Sequence, residues 1–261
     1  MTAVSLRSCR VLVTRPALQA QNLLESVSSA GGVAISYPAL AIAAATESGN
    51  ASRCTQANSY DWLIFISRNA IEYALPHLPN ATALTKVKIA AIGEATANAI
   101  QAAGYQVDLI PKNASNSEAL LNEEALNDCK DHRILIVRGV GGRDLLLNRL
   151  ASRGAKVEYA EVYARICPEF EPTSLPAHYI EGIDIITVAS GETLRNLLSM
   201  ATESNLLEKV LNTPLLVVSE RIQNIAQRLG FADTIIVSES PSDQGIIEAI
   251  DHWWQQASRE K

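Results

Sequence analysis

Val11-Leu12-Val13-Thr14-Arg15-Pro16 and Ile134-Leu135-Ile136-Val137-Arg138-Gly139 are two versions of one segment, a short apolar run that ends in an arginine. The two arginines stand 123 positions apart. Ser29-Ala30-Gly31 and Ser152-Arg153-Gly154 keep that offset, as do Phe65-Ile66-Ser67 and Val188-Ala189-Ser190. Farther on, Ala102-Ala103-Gly104-Tyr105 matches Arg228-Leu229-Gly230-Phe231 at an offset of 126, a shift that one short loop insertion explains. A period of this length is no solenoid array. The chain reads as one unit present twice.

Outward from these segments, the same alternation recurs along the chain. A short β-branched run, a turn and an amphipathic stretch follow one another, with strands expected near 11–13, 62–66, 89–92, 134–137, 183–188, 215–218 and 234–237. Strands alternating with helices mean an α/β fold whose parallel sheets are covered on both faces. Gly31, Gly104, Gly154 and Gly230 stand where helices should stop, which is the C-cap signal. Two stretches, Val33 to Ile42 and Val157 to Ile166, are long for strands and occupy the same place in the repeat. Ten residues at ~3.3 Å each would span about 33 Å, enough to leave one domain and enter another. Two such crossings imply a discontinuous first domain, 1–36 with 168–261, and a second domain over 40–162. The linker strands fall near 33–42 and 157–167, and the Pro-rich stretch Pro168 to Pro176 reads as an ordered linker.

The 261 residues are 48% hydrophobic and 19% charged, the profile of a chain with a full core. No apolar run approaches the ~18 residues of a membrane span. The net charge of −6, with no basic stripe, argues against nucleic acid and against a membrane surface. Cys9, Cys54, Cys129 and Cys167 are dispersed and do not cluster with the four histidines, so neither a metal site nor a disulfide framework is expected. The N-terminus has no apolar stretch of signal-peptide length, and the expected location is a reducing cytoplasm.

Several segments, in order, resemble uroporphyrinogen-III synthases. Val13-Thr14-Arg15-Pro16 is similar to that family's first strand and turn. The stretch from Asp61 to Ala70, with Phe65-Ile66-Ser67-Arg68-Asn69-Ala70, resembles its D-W-x-I-F-T-S-x-N-A segment, with Ile66 in place of the family's frequent threonine. Ala91-Ile92-Gly93-Glu94-Ala95-Thr96 resembles its A-I-G-x-x-T turn, and Val162-Tyr163 stands where the family has a tyrosine. Ser219-Glu220-Arg221-Ile222 departs from a glycine- and threonine-rich turn. The likeness covers about Arg10 to Ile250. It implies two flavodoxin-like domains joined by a two-stranded linker, with an active site in the cleft between them. It also implies cyclisation of hydroxymethylbilane to uroporphyrinogen III with inversion of ring D, without cofactor or metal. The implied partners are this linear tetrapyrrole and, transiently, hydroxymethylbilane synthase, for a chain expected to be monomeric.

The resemblance assigns the acid role to Tyr163. A phenol, with an ordinary pKa of ~10, is protonated at neutral pH and can donate to the departing hydroxyl of the substrate. Arg15 and Arg138 each follow an expected strand, where ligands of parallel sheets bind, and arginine binds carboxylate bidentately. Arg68, Arg143, Arg195 and Arg221 offer weaker versions of that reading. Ser67, Asn69, Gly93, Ser190, Gly191 and Ser219 lie in strand-to-helix turns whose donors suit acetate and propionate groups. Plain helix capping uses the same groups. Gly139 opens Gly139-Val140-Gly141-Gly142-Arg143-Asp144, which lacks the spacing of a dinucleotide fingerprint and reads as an anion-tolerant turn. Trp253 and Trp254 are expected to pack. Two other readings stand beside this one: a hinge-type small-molecule binding or sensor protein of the same architecture without catalysis, and a flavodoxin-type flavin carrier.

Overall fold

A computed structural model describes residues 4–46, 48–231 and 234–257, with the side chains of 48–51 outside the description. Its strands are β1 (Arg10–Val13), β2 (Val33–Ser36), β3 (Ala41–Ala44), β4 (Trp62–Phe65), β5 (Lys88–Ala91), β6 (Arg133–Gly139), β7 (Lys156–Ile166), β8 (Ile185–Val188), β9 (Leu215–Val217) and β10 (Ile235–Val237). The helices are α1 (Ala17–Ser29), α2 (Ser48–Thr55), α3 (Arg68–Ala74), α4 (Glu94–Ala102), α5 (Ser117–Leu121), α6 (Leu145–Ser152), α7 (Ser174–Glu181), α8 (Gly191–Glu203), α9 (Leu207–Leu211), α10 (Glu220–Arg228) and α11 (Asp243–Ala257).

The chain forms two compact units, Met1–Ala41 with Ile166–Lys261, and Ile42–Arg165. The first has the sheet order β10-β9-β8-β1-β2, the second β3-β7-β6-β4-β5. The pairings β1–β2, β1–β8, β8–β9, β9–β10, β4–β5, β4–β6 and β6–β7 are all parallel. Counted in chain order within the first unit, its strands lie 2-1-3-4-5. That is the doubly wound flavodoxin-like order, with its switch point between β1 and β8.

The internal repeat is exchanged between the units. Val11 pairs with Ile185 in the first, and Ile134 with Trp62 in the second. A shift of 123 converts one pair into the other with the roles of the two copies reversed. Each sheet is therefore built from the front half of one repeat and the back half of the other. The correspondence extends to the edge. Leu109, 126 positions before Ile235 of β10, makes an isolated parallel bridge to Ala90 of β5, where the counterpart of β10 would stand.

Alternate residues of each central strand enter opposite core layers, as a period of two requires. Leu63, Phe65, Leu135 and Val137 pack on one face of the second sheet, and Trp62, Ile64, Ile134 and Ile136 on the other. Leu12 and Ile186 face one layer of the first unit, while Val11, Val13 and Ile185 face the other. Both faces are covered, which is why these strands read as unbroken apolar runs. Gly31 and Gly154 follow α1 and α6 at φ +84° and +89°, conformations that side chains rarely adopt.

Two expectations change. The stretch 33–42 is not one long strand: β2 ends at Ser36 and β3 begins at Ala41, in different sheets. Pro38 lies between them and has no N–H for a ladder. The stretch Pro168–Pro176 is linker only as far as Thr173. Pro176 is the third residue of α7, in a first turn whose N–H groups lack intrahelical acceptors. Trp253 and Trp254 pack against the core between α1 and α11, and the indole of Trp254 donates to the carbonyl of Arg7 at 3.2 Å. Among the described residues no helix is long and apolar enough to cross a membrane.

Candidate active site

The candidate residues of each unit stand at the carboxyl ends of its parallel strands, in the turns that follow, or in the first turn of the next helix, where Asn69, Gly191 and Arg221 lie and not in the turns themselves. In the second unit, Ser67 follows β4, Gly93 follows β5, and Arg138 and Gly139 close β6. In the first, Arg15 follows β1, Ser190 and Gly191 follow β8, and Ser219 and Arg221 follow β9.

A β-bulge decides where Tyr163 points. Along β6 and β7, Arg138 pairs with Glu161, but the next residue, Gly139, pairs with Tyr163 and leaves Val162 unmatched. Upstream of the bulge, Val157 and Tyr159 face the layer that holds Trp62 and Ile64. Beyond it, Tyr163 joins the opposite layer with Phe65 and Val137. One extra residue has re-aimed the ring. Tyr163 is 3% exposed, and its hydroxyl lies 3.1 Å from Ser67 Oγ. The ring lies against bare backbone, since a Cβ on Gly139 would sit 2.6 Å from its Cε2 and Cζ atoms. Tyr73, whose hydroxyl donates to the Ile42 carbonyl at 2.7 Å, flanks it with ring centroids 6.0 Å apart.

Ser67 and Ser190 cap α3 and α8. Their hydroxyls accept from the backbone N–H of Ala70 at 3.1 Å and of Thr193 at 3.0 Å. Ser219 occupies the same position before α10 but makes no side-chain cap bond. Asn69 is half-buried, and its amide has no partner among the described residues. Gly93 precedes α4, where a Cβ would meet Ser115 Oγ at 2.2 Å, so the 115 turn lies directly on it. A Cβ on Gly191 would come 2.9 Å from Ile225 Cδ1 of α10.

The two repeat-related arginines are met from within their own units. Arg15 forms a salt bridge with Asp243. Arg138 is 4% exposed, with Asp144 Oδ1 at 3.3 Å and Glu161 Oε1 at 3.9 Å. Its guanidinium also stacks over the Tyr159 ring at 4.4 Å, and a cation this deep needs such partners. The Gly139–Asp144 turn does hold an anion, one supplied by the protein: Gly141 N donates to Glu161 Oε1 at 3.0 Å. Arg143 pairs with Glu118, and Arg195 donates to the Gly191 carbonyl. Arg68 and Arg221 are exposed and carry no ion pair among the described residues.

Burial and a hydrogen bond to Asp144 push the Tyr159 phenol up to about 12. Burial and Glu158 do the same to Tyr60. Burial raises the thiols of Cys9 to about 12 and Cys54 to about 11. These groups stay neutral in the folded state at a pH where the unfolded chain would ionise. Their contribution is therefore complete below the unfolded values of 9.0 and 10.0 and is lost as pH rises toward 11 or 12. The urea midpoint should hold from neutrality to about pH 8.5 and fall steadily above it. A midpoint that rises between pH 9 and 11 would contradict this assignment.

A profile of the family described as Uroporphyrinogen-III synthase HemD matches residues 21–248. The chain belongs to the uroporphyrinogen-III synthase family. It is 31% identical over 245 residues to the uroporphyrinogen-III synthase of Salmonella typhimurium, covering 92% of this chain and 99% of the relative. The Escherichia coli uroporphyrinogen-III synthase is 29% identical over 252 residues, at the same two coverages. Solved structures share the fold. Uroporphyrinogen-III synthetase from Helicobacter pylori has a TM-score of 0.61 at 14% identity, with 92% of this chain and 97% of that one covered. A mutant uroporphyrinogen III synthase from Thermus thermophilus has 0.55 at 16%, with 97% and 100% covered.

As in its uroporphyrinogen-III synthase relatives, the activity is that of a cyclising lyase of porphyrin biosynthesis, and the binding-protein reading is not favoured. Sequence reasoning about this family member missed Tyr73, Ser115, Asp144, Tyr159 and Glu161. Glu161 and Tyr159 sit at even spacing before Tyr163, a signal that puts all three on one face. The bulge removes Tyr163 from that face.

Proposed function

We propose that Tyr163 is the acid that starts ring closure. The pyrrole nitrogen lone pair of the terminal ring expels the hydroxyl as the phenol gives up its proton, and water leaves. The azafulvene cation formed is attacked by the substituted carbon of ring D, giving a spiro intermediate that opens and recloses inverted. Loss of the final ring proton restores aromaticity and balances the proton that Tyr163 gave. The observation that carries this reading is the bulge that turns Tyr163 to Ser67 at the carboxyl end of β4. The phenol is buried, so the reading requires its hydroxyl edge to be uncovered as the bilane seats.

The eight carboxylates of the bilane need donors. Ser219 and Asn69 have spare hydrogen-bonding capacity, and Arg68 and Arg221 have uncommitted charge among the described residues. The backbone N–H groups at Gly93, Ser190 and Gly191 add uncharged donors. Arg15 and Arg138 take part by exchanging Asp243 or Asp144 for a substrate carboxylate of the same charge. Orientation decides the product, because uncatalysed closure gives the other isomer. We place the reaction in a reducing cytoplasm, where the four free cysteines are at home, on a monomer that meets hydroxymethylbilane synthase transiently.

Freshly made hydroxymethylbilane, supplied to the pure protein, oxidised and separated by chromatography, should give mainly the type III isomer. Type I alone, at the rate of the blank, would leave the fold without the reaction.

A further inference from the structure

The geometry points to Ser67 as the positioning residue of the acid, a hydroxyl that fixes Tyr163 and stabilises the charge left on it, not a ligand of the substrate. This rests on the reading of Tyr163 as the acid. The two repeats supply the argument, because they show the same serine in two settings.

In the first unit, Ser190 accepts from Thr193 N and shares a second bond with Thr193 Oγ1 at 2.8 Å, so its hydroxyl is satisfied within its own turn. Shifted by 123, Thr193 becomes Ala70, and Tyr163 corresponds to Leu40. In the second unit the local hydroxyl is therefore missing and a phenol stands across the sheet. Ser67 keeps the cap, accepting from Ala70 N at 3.1 Å, and turns its other bond to Tyr163, also at 3.1 Å.

A serine hydroxyl has one proton to give and two lone pairs. One lone pair is held by Ala70 N–H, and either hydroxyl could supply the proton of the 3.1 Å bond between Ser67 and Tyr163. In the inferred arrangement, Ser67 Oγ–H donates to the phenol oxygen. The phenol proton is then free to point at the departing hydroxyl. When that proton transfers and water leaves, the negative charge on the Tyr163 oxygen already faces a donor that needs no rearrangement. Ser67 keeps its own proton throughout. Gly139 lies directly against the ring, and Tyr73 neighbours it with centroids 6.0 Å apart, so both limit where the ring can sit.

The test compares the native protein with Ser67→Ala, Tyr163→Phe and the double variant, reading kcat and KM for type III formation. Ser67→Ala should lower kcat by about 10- to 100-fold with KM within about twofold, somewhat less than loss of a full oxyanion donor. The double variant should be no slower than Tyr163→Phe alone within about twofold, because the serine acts through the phenol. Ser67→Thr keeps both the cap and the hydroxyl and should recover most of kcat. Ser67→Asp keeps a cap acceptor but has no proton to give, and should fold as the native chain does yet stay slow. A raised KM with native kcat, or losses that multiply in the double variant, would overturn the inference while leaving Tyr163 as acid. A Tyr163→Phe protein with native kcat would instead remove the acid reading beneath it.

Discussion

Gly139→Ala is expected to fold and to lose about 100-fold in kcat while KM changes little. Gly139 has no positive φ, so the backbone itself accepts alanine. The obstacle is the new methyl, which would lie 2.6 Å from two carbons of the Tyr163 ring and 3.1 Å from its hydroxyl oxygen. Neither partner yields easily. Gly139 is held by its ladder position in β6, and the ring is buried among Phe65, Val137 and Ala91. The ring must shift by about 1 Å, and a displacement of that size at a reacting group costs on the order of 100-fold. Overpacking of this kind also lowers stability by about 1–3 kcal/mol, which a urea melt would register. Native kcat would mean that the placement of the ring against Gly139 has no part in turnover. The glycine then serves as a seat for the tyrosine, where the sequence suggested the opening of an anion-tolerant turn.

Much of the fold was legible because both faces of each sheet are buried. Continuous apolar runs such as Trp62 to Phe65 and Ile134 to Val137 then appear as strands, and Gly31 and Gly154 mark the helix ends at matching places in the repeat. Short helices were not legible. α5 and α9 have five residues each, too few for a helical period to register. Pro38 was visible, yet its effect, two short strands in separate sheets, depends on which neighbours each stretch finds. At the site, the strand-end positions were read from the pattern, and what each side chain touches was not. Arg15 and Arg138 look alike in sequence and are both met by acids, but Asp243 lies 228 positions from its partner and Asp144 only six. The bulge at Val162 is invisible in composition, and it is what separates Tyr163 from Tyr159.

Tyr163→Phe removes one oxygen and keeps the ring that packs on Gly139 and Tyr73, so the fold should be preserved. Loss of a positioned general acid typically costs 10²–10⁴-fold. The effect should fall on kcat, since the phenol acts on the departing hydroxyl and not on the carboxylates that bind the bilane. The reaction without it should drift toward type I, because spontaneous closure then competes with the slowed enzyme. The most direct measurement is a single turnover of hydroxymethylbilane by this variant beside the native chain, corrected for the blank and with the isomers separated. A rate of type III formation at least about 100-fold below native, with type I accumulating at the blank rate, is the predicted result. Type III formed at the native rate would contradict the account.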